Sequence, residues 1–356
     1  MKIFLTGSTG LLGNNVLRLA VQRGDQVQAL VRQPVVSEIF DDLLDAGAVE
    51  TVLGDLVSEA VLDQVIGRSD AVIHSAGMIH LGWKQLEESM AVNRDGTRYI
   101  VEACIKHDKP LVWIGTVNTL AVGSRREVAN EQTPLDFQGG QVPCSYVLSK
   151  RAALEEIRMG VRRGLRAITI HPGFMLGPFD WKPSSGRMVV ELDKAYRPLA
   201  PSGGGSICDV RDVAEAALSA LSRLIDGQLE SGREYITAGE NWTYLELWKA
   251  ISKQVNRSRP IMAAGPLQRW IGARVGDLIS RLGDKESDLN SAAVAMSSQF
   301  HWYDSTRAVD ELDYRIRDPY ESLADCVDFL RKRGMIRPQK TSKIADTEIK
   351  ADPTAD

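Results

Sequence analysis

The chain has 356 residues, 44% of them hydrophobic and 25% charged, the balance of an ordinary globular protein with a substantial core. Its 43 Lys and Arg against 47 Asp and Glu leave a net charge of −4, which offers no basic surplus for nucleic acid and no acidic solvating tail. Cys104, Cys144, Cys208 and Cys326 are scattered, without a CxxC pair or a spaced Cys/His set, which argues against structural zinc and for a reducing, cytoplasmic setting. Residues 1–6 run straight into a strand, so no signal peptide is expected, and no apolar run is long enough to span a bilayer.

Strand-like and helix-like stretches alternate from the start. Lys2–Thr6 reads as a strand, Leu11–Arg23 as an amphipathic helix stopped by Gly24, and Gln26–Val31 as the next strand. A polar helix is expected near Ser37–Ala46, a third strand over Val49–Leu53, and a short helix over Glu59–Ile66 ended by Gly67. Ala71–Ser75, Pro110–Gly115 and Ala167–His171 complete six strands, with helices over Glu87–His107 and Tyr146–Gly160 between them. That alternation means βαβ units, hence an α/β fold with a doubly wound parallel sheet. We expect a Rossmann-type domain over 1–174 and a smaller, mostly substrate-binding lobe over 175–337, punctuated by Pro and Gly. Helices are expected over Asp209–Leu224 and Tyr244–Val255, with a strand in "REYITAG" between them. A strand and a helix near 205–240 are expected to return to the sheet, and "PSGGGS" at 201–206 reads as a turn. The tail 338–356 is expected to be disordered.

Gly7, Gly10 and Gly13 stand three apart in "TGSTGLLG", between the first strand and the first helix. Glycines there let the chain turn sharply, let backbone N–H groups approach a pyrophosphate, and leave the positive helix end facing it. Tight strand-to-helix turns also need glycine on conformational grounds alone. The βαβ units on both sides tip the reading to a dinucleotide loop.

The spacing resembles the TGxxGxxG loop of the extended short-chain dehydrogenases/reductases, and further marks of that family follow in order. They are "GDL" at 54–56, "HSAG" at 74–77, "VNRDGT" at 92–97, "YVLSK" at 146–150, "HPGFMLGP" at 171–178 and "DVRDVAEA" at 209–216. The resemblance covers about residues 1–337. Within the family, "HSAGMIHLGWKQLEE" and the segment 304–334 resemble dihydroflavonol reductases, 3β-hydroxysteroid dehydrogenases and hopanoid-associated sugar epimerase-like proteins. The resemblance implies that Gly7, Thr9, Gly10, Leu11, Leu12 and Gly13 hold the dinucleotide phosphates. It assigns Asp55 and Leu56 to the adenine side, and Ser75, Ala76, Gly77 and Asn93 to the loop and helix beside it. It places Pro172, Gly173, Phe174 and Met175 beside the nicotinamide.

It also implies a catalytic pair. Tyr146 and Lys150 are four apart on a helix and share a face. An ammonium beside the phenol is expected to lower its pKa from about 10, suiting it to shuttle a proton to a carbonyl oxygen while hydride passes between nicotinamide and substrate carbon. An exposed Lys beside a half-buried Tyr is the common alternative for such a pair. The third catalytic group, a hydroxyl in the family, falls at Thr116, with Asn118 or Thr119 as fallback, because Gly115 stands where the family has its first Ser.

The second strand ends at Val31 and Arg32 without a carboxylate. That favours NADP, with Arg32 on the 2′-phosphate, over NAD. His74, His80 and His171 lack the spacing of a metal site. The stretch 265–283 reads as a core-facing lid helix over an apolar substrate, with a membrane-surface helix as the alternative.

The expected activity is a ketone–secondary alcohol oxidoreductase acting on a fairly apolar small molecule. A nucleotide-sugar epimerase or dehydratase that retains NAD, and a non-catalytic dinucleotide sensor, stand as alternatives. Many relatives pair through the helices matching Glu87–His107 and Tyr146–Gly160, so a homodimer is the family expectation.

Overall fold

A computed structural model describes residues 1–34, 37–40, 43, 47–283 and 286–338. Its central sheet has seven parallel strands. In chain order these are β1 (Lys2–Thr6), β2 (Gln26–Val31), β3 (Val49–Leu53), β4 (Ala71–His74), β5 (Leu111–Ile114), β6 (Ala167–Pro172) and, much later, β10 (Glu234–Thr237). The spatial order is β10-β6-β5-β4-β1-β2-β3, so the direction of winding reverses between β1 and β4. In open α/β sheets a ligand crevice forms at that point, beyond the strands' carboxyl ends.

Both faces are covered, which is why these strands are nearly unbroken apolar runs. Alternation within each strand divides the core. Ile3, Leu5, Ile73 and Val112 face α1 (Leu11–Gln22) and α7 (Val210–Ile225). Phe4, Val72, Leu111 and Trp113 face α2 (Glu59–Gly67), α4 (Gly96–Lys106) and α5 (Ser145–Arg162).

The helix expected over Glu87–His107 is broken into α3 (Leu86–Met90), a π-helical turn (Ala91–Asp95) and α4. Widened turns of this kind recur at functional sites, and this one carries Asn93. Of the polar helix expected near Ser37–Ala46, a 3₁₀ turn over Ser37–Ile39 is seen; Asp41, Asp42 and 44–46 lie outside the described residues, as does the tail beyond Pro338.

The remaining strands and helices form a layer over the carboxyl edge. β7 (Phe174–Leu176), β9 (Gly204–Asp209), β11 (Glu240–Thr243) and β13 (Phe300–His301) make one sheet, and β8 (Leu199–Ala200) pairs with β12 (Met262–Ala263). α6 (Arg187–Lys194), α8 (Tyr244–Gln254) and α12 (Pro319–Lys332) enclose a separate core around Ile207, Leu247 and Leu323. α9 (Pro266–Leu282), α10 (Ser291–Met296) and α11 (Thr306–Leu312) complete the chain. The expected return near 205–240 is thus divided. α7 packs on α1 and β10 joins the main sheet, whereas 204–209 belongs to the second sheet.

Candidate active site

The loop after β1 is shaped by backbone approach. Gly7 has φ +77°, and a Cβ on it would lie 2.7 Å from the Ala76 nitrogen. A Cβ on Gly13 would lie 2.1 Å from the Gly7 carbonyl oxygen. Gly10 donates its N–H to that oxygen at 2.9 Å and caps α1 without any side-chain hydrogen bond. No acidic residue occupies the first turn of α1, and the Ser8 hydroxyl is buried without a partner. No side chain therefore caps the first-turn N–H groups at Leu11 and Leu12, beside Thr9, which suits a pyrophosphate. The glycine cradle fits a dinucleotide.

A buried histidine fastens this loop to its neighbours. Thr6 and His74 are register partners on β1 and β4, with Thr6 Oγ1 2.7 Å from His74 Nδ1 and His74 Nε2 3.1 Å from Thr97 Oγ1. Thr6 Oγ1 also accepts from Ala76 N at 3.1 Å. Burial, aided by the Lys150 charge, drops the His74 pKa to about 3, so the ring is neutral. The signal for it was present in the sequence as one polar residue ending each of two apolar strands.

The next loop is held from below by Asn93, which accepts from Met78 N at 2.7 Å and donates to Met78 O and Ser149 Oγ, each at 2.9 Å. Gly77 lies against the same side chain, with Lys150 Nζ close by. Ser75 and Ala76 complete this rim. Leu56 is buried because Gly96 leaves it room: a Cβ there would come 2.8 Å from the leucine Cβ. Asp55 is half-buried one residue before it, and Arg32 is exposed at the end of β2.

α5 begins against the loop 80–84, whose His80 and Gly82 carbonyls accept the Tyr146 and Ser145 N–H groups at 3.2 and 2.9 Å. This seats Tyr146 (8% exposed) and Lys150 (5% exposed) on the buried face of one helix. Lys150 Nζ donates to the Ile114 carbonyl at 2.9 Å and sits 4.3 Å above the Trp113 ring. Thr116 (7% exposed) follows β5 in extended conformation.

The expectation that Lys150 depresses the phenol is not met. Burial raises the Tyr146 pKa, and the Thr116 side chain pulls the other way. Lys150 itself falls to about 7 because it is desolvated, so near neutrality it carries only part of a charge, and one of its N–H groups is engaged by Ile114 O.

Thr116 is positioned by residues distant in sequence. His171 is fully buried, with Nδ1 3.2 Å from Thr116 O and 3.3 Å from Thr119 Oγ1, and Nε2 3.0 Å from Glu234 Oε2. Burial pushes the Glu234 carboxyl up, but His171 and Arg158 together hold it at about 2. Gly115 explains the missing first Ser: a Cβ there would lie 2.8 Å from His171 Nδ1 and 2.9 Å from Trp113 Cζ3. Further along, Tyr303 donates to Ala121 O at 2.9 Å and Val117 O at 3.1 Å. Neither Tyr303 nor Glu234 had a signal in the local sequence.

Pro172 is buried at the end of β6, and Gly173 after it passes close to β9, where a Cβ would be 2.6 Å from the Ser206 carbonyl. Phe174 and Met175 are half-buried on β7. Phe174 opens a cavity of about 290 Å³ lined also by Met188, Arg187, Arg197 and Trp248. The helix expected to be core-facing is not. α9 buries Gly276 and Ser280 and turns its large apolar side chains outward.

Residues 3–230 match the NAD dependent epimerase/dehydratase family, and the chain belongs to it. It is similar to a Synechocystis sp. protein provisionally named dihydroflavonol 4-reductase, 28% identical over 94% of this chain and 96% of that one. It is also similar to sterol demethylase protein B of Methylococcus capsulatus, 26% identical over 94% of this chain and 100% of that one. The crystal structure of gox2253 superposes with a TM-score of 0.77 at 27% identity, covering 94% of this chain and 99% of its own. The protein is therefore an enzyme of an NAD-dependent family with reductases among its relatives. None of its described helices is long and apolar enough to cross a membrane.

Proposed function

We propose that this enzyme is an NAD(P)-dependent oxidoreductase that interconverts a ketone and a secondary alcohol on a fairly apolar small molecule. The observation that carries this reading is the buried grouping of Tyr146, Lys150 and Thr116 at the carboxyl edge of the sheet, with Val117 next to Thr116 in place of an acid. A nicotinamide dinucleotide with its phosphates at the glycine loop would supply or accept a hydride. Gly7, Gly10, Leu11, Leu12 and Gly13 hold its phosphates, and Asn93 keeps the neighbouring loop open beside it. Thr116 donates a hydrogen bond to the substrate oxygen and Tyr146 passes the proton to or from that oxygen. Lys150 steadies the phenolate that forms. The exposed Arg32, with no carboxylate at the end of β2, supports NADP as the preferred form.

A nucleotide-sugar substrate is disfavoured by the state of the arginines. Arg187 pairs with Asp288, Arg197 with Glu191, and Arg211 with Asp209 and Asp325, so each of the three already faces a carboxylate. Phe174, Met188 and Trp248 instead give the cavity an apolar side.

The test is direct. Nucleotide released by heat from the purified protein should be scant, NADPH should bind more tightly than NADH, and NADPH should be oxidised only when an apolar ketone is present. Tyr146→Phe should abolish turnover and leave nucleotide affinity within about twofold. Stoichiometric retained NAD would turn the reading to an epimerase or dehydratase, and binding without turnover across carbonyls and nucleotide sugars would turn it to a sensor.

A further inference from the structure

The outward face of α9 needs an explanation. Leu267, Trp270, Ile271, Val275, Leu278 and Leu282 are between 46% and 81% exposed along one side of the helix. Exposed apolar patches of this extent mark interaction surfaces. Ile261 and Met262, in the segment leading to the helix, are also exposed, at 68% and 53%.

The helix is seated so that this side cannot simply turn inward. Gly276 sits directly against the Leu289 carbonyl, where even a Cβ would overlap. Ser280 Oγ accepts from Ser287 N at 2.8 Å, and the Ser280 carbonyl accepts from Lys84 Nζ at 2.7 Å. Asp277, the one carboxylate on the helix, accepts from Ser291 N at 2.9 Å and so faces the protein. Beside the apolar strip stand Arg274 and Arg281, both exposed and neither in an ion pair with a described residue; Arg274 lies over the Trp270 ring, 5.9 Å from its centroid. The surface is therefore apolar with a tryptophan and cations at its border, and no outward anion from the helix.

We propose that α9 docks this enzyme on an anionic lipid bilayer, lying in the plane of the headgroups with its apolar strip among the acyl chains. Charge complementarity selects this occupant. Anionic headgroups neutralise Arg274 and Arg281, whereas a second copy of the helix would bring the same two cations and no carboxylate to meet them.

The seated side of α9, opposite the docking face, is tied to the site. α9 is joined through Lys84, and α10 through the Trp83 Nε1 bond of 2.8 Å to Ser291, to the loop whose carbonyls hold the start of α5 at Tyr146. An enzyme held there would meet a substrate dissolved in the leaflet. That consequence rests on the oxidoreductase reading; lipid docking does not, and the test below uses no substrate, so the two fail separately.

The purified full-length chain should co-sediment with vesicles of phosphatidylcholine containing phosphatidylglycerol about tenfold or more better than with phosphatidylcholine alone, and less well as salt is raised. Arg274→Gln with Arg281→Gln should remove the preference for anionic vesicles. Leu278→Glu with Leu282→Glu should abolish pelleting, with the thermal midpoint unchanged because both side chains are exposed. The proposal is overturned if wild type pellets with neither vesicle, if both double variants pellet like wild type, or if α9 instead mediates a dimer that Leu278→Glu with Leu282→Glu dissolves.

Discussion

Replacing Gly13 by alanine tests the dinucleotide loop at its tightest contact. The new Cβ would stand 2.1 Å from the Gly7 oxygen, 2.5 Å from the Gly7 carbonyl carbon and 2.9 Å from the Ser8 nitrogen. Every one of these is backbone, and each falls short of ordinary contact, so the loop and the start of α1 must separate by about 1 Å. Overpacking of this kind costs about 1–3 kcal/mol of stability. The same shift misaligns the first-turn N–H groups with the pyrophosphate. Losing one well-aligned bond to a charged group costs about 1.5–3 kcal/mol, a tenfold to hundredfold rise in Kd for NADP or NAD. Gly24→Ala is the matched control. Its φ of +84° imposes strain of about 1–2 kcal/mol, yet nothing lies within 4 Å of the added methyl and the site is remote. Urea unfolding and calorimetric titration should show both variants destabilised but only Gly13→Ala impaired in binding. A Gly13→Ala protein with wild-type nucleotide affinity would refute the placement of the phosphates.

Three further outcomes follow from the same geometry. Lys150 is about 7 when folded against 10.5 ordinarily, so between those values the unfolded chain binds more protons and this group's contribution to stability rises with pH; Lys150→Met should flatten that rise in urea titrations between neutrality and pH 10. Glu234→Gln leaves His171 and Arg158 without their carboxylate and should cost about 1.5–3 kcal/mol in unfolding free energy near neutral pH. Tyr303→Phe takes the hydroxyl from the Ala121 carbonyl, while Val117 O keeps the Leu120 N–H, so we expect about 1–3 kcal/mol lost in stability and a lower kcat with little change in nucleotide Kd, as the segment after Thr116 loosens.

The sequence exposed the main sheet because its signals are local. Strands buried on both faces are apolar throughout, and the glycine loop must sit beside the first helix. The second sheet was hidden by glycine. Gly203 and Gly204 read as a turn, yet they admit the Gln299 and Trp242 carbonyls, to which a Cβ would come within 2.1 and 2.4 Å. Periodicity showed that 265–283 has one apolar face but not which way it points. Burial of that face is set by the partner, and here Gly276 and Ser280 make the seat. Tyr146 and Lys150 were legible as an i, i+4 pair. Their electrostatics were not, since the desolvation that lowers Lys150 and raises Tyr146 comes from the whole fold. The supports of Thr116 lie beyond any local pattern, with Glu234 and Tyr303 arriving from far down the chain.

The central claim is that one bound nucleotide joins the first helix to the Tyr146 phenol. A crystal structure of the enzyme with NADP should place the pyrophosphate on the N–H groups of Leu11 and Leu12, and the nicotinamide ring beside Tyr146 and Thr116. A nucleotide bound elsewhere, or a ring turned away from that phenol, would contradict it.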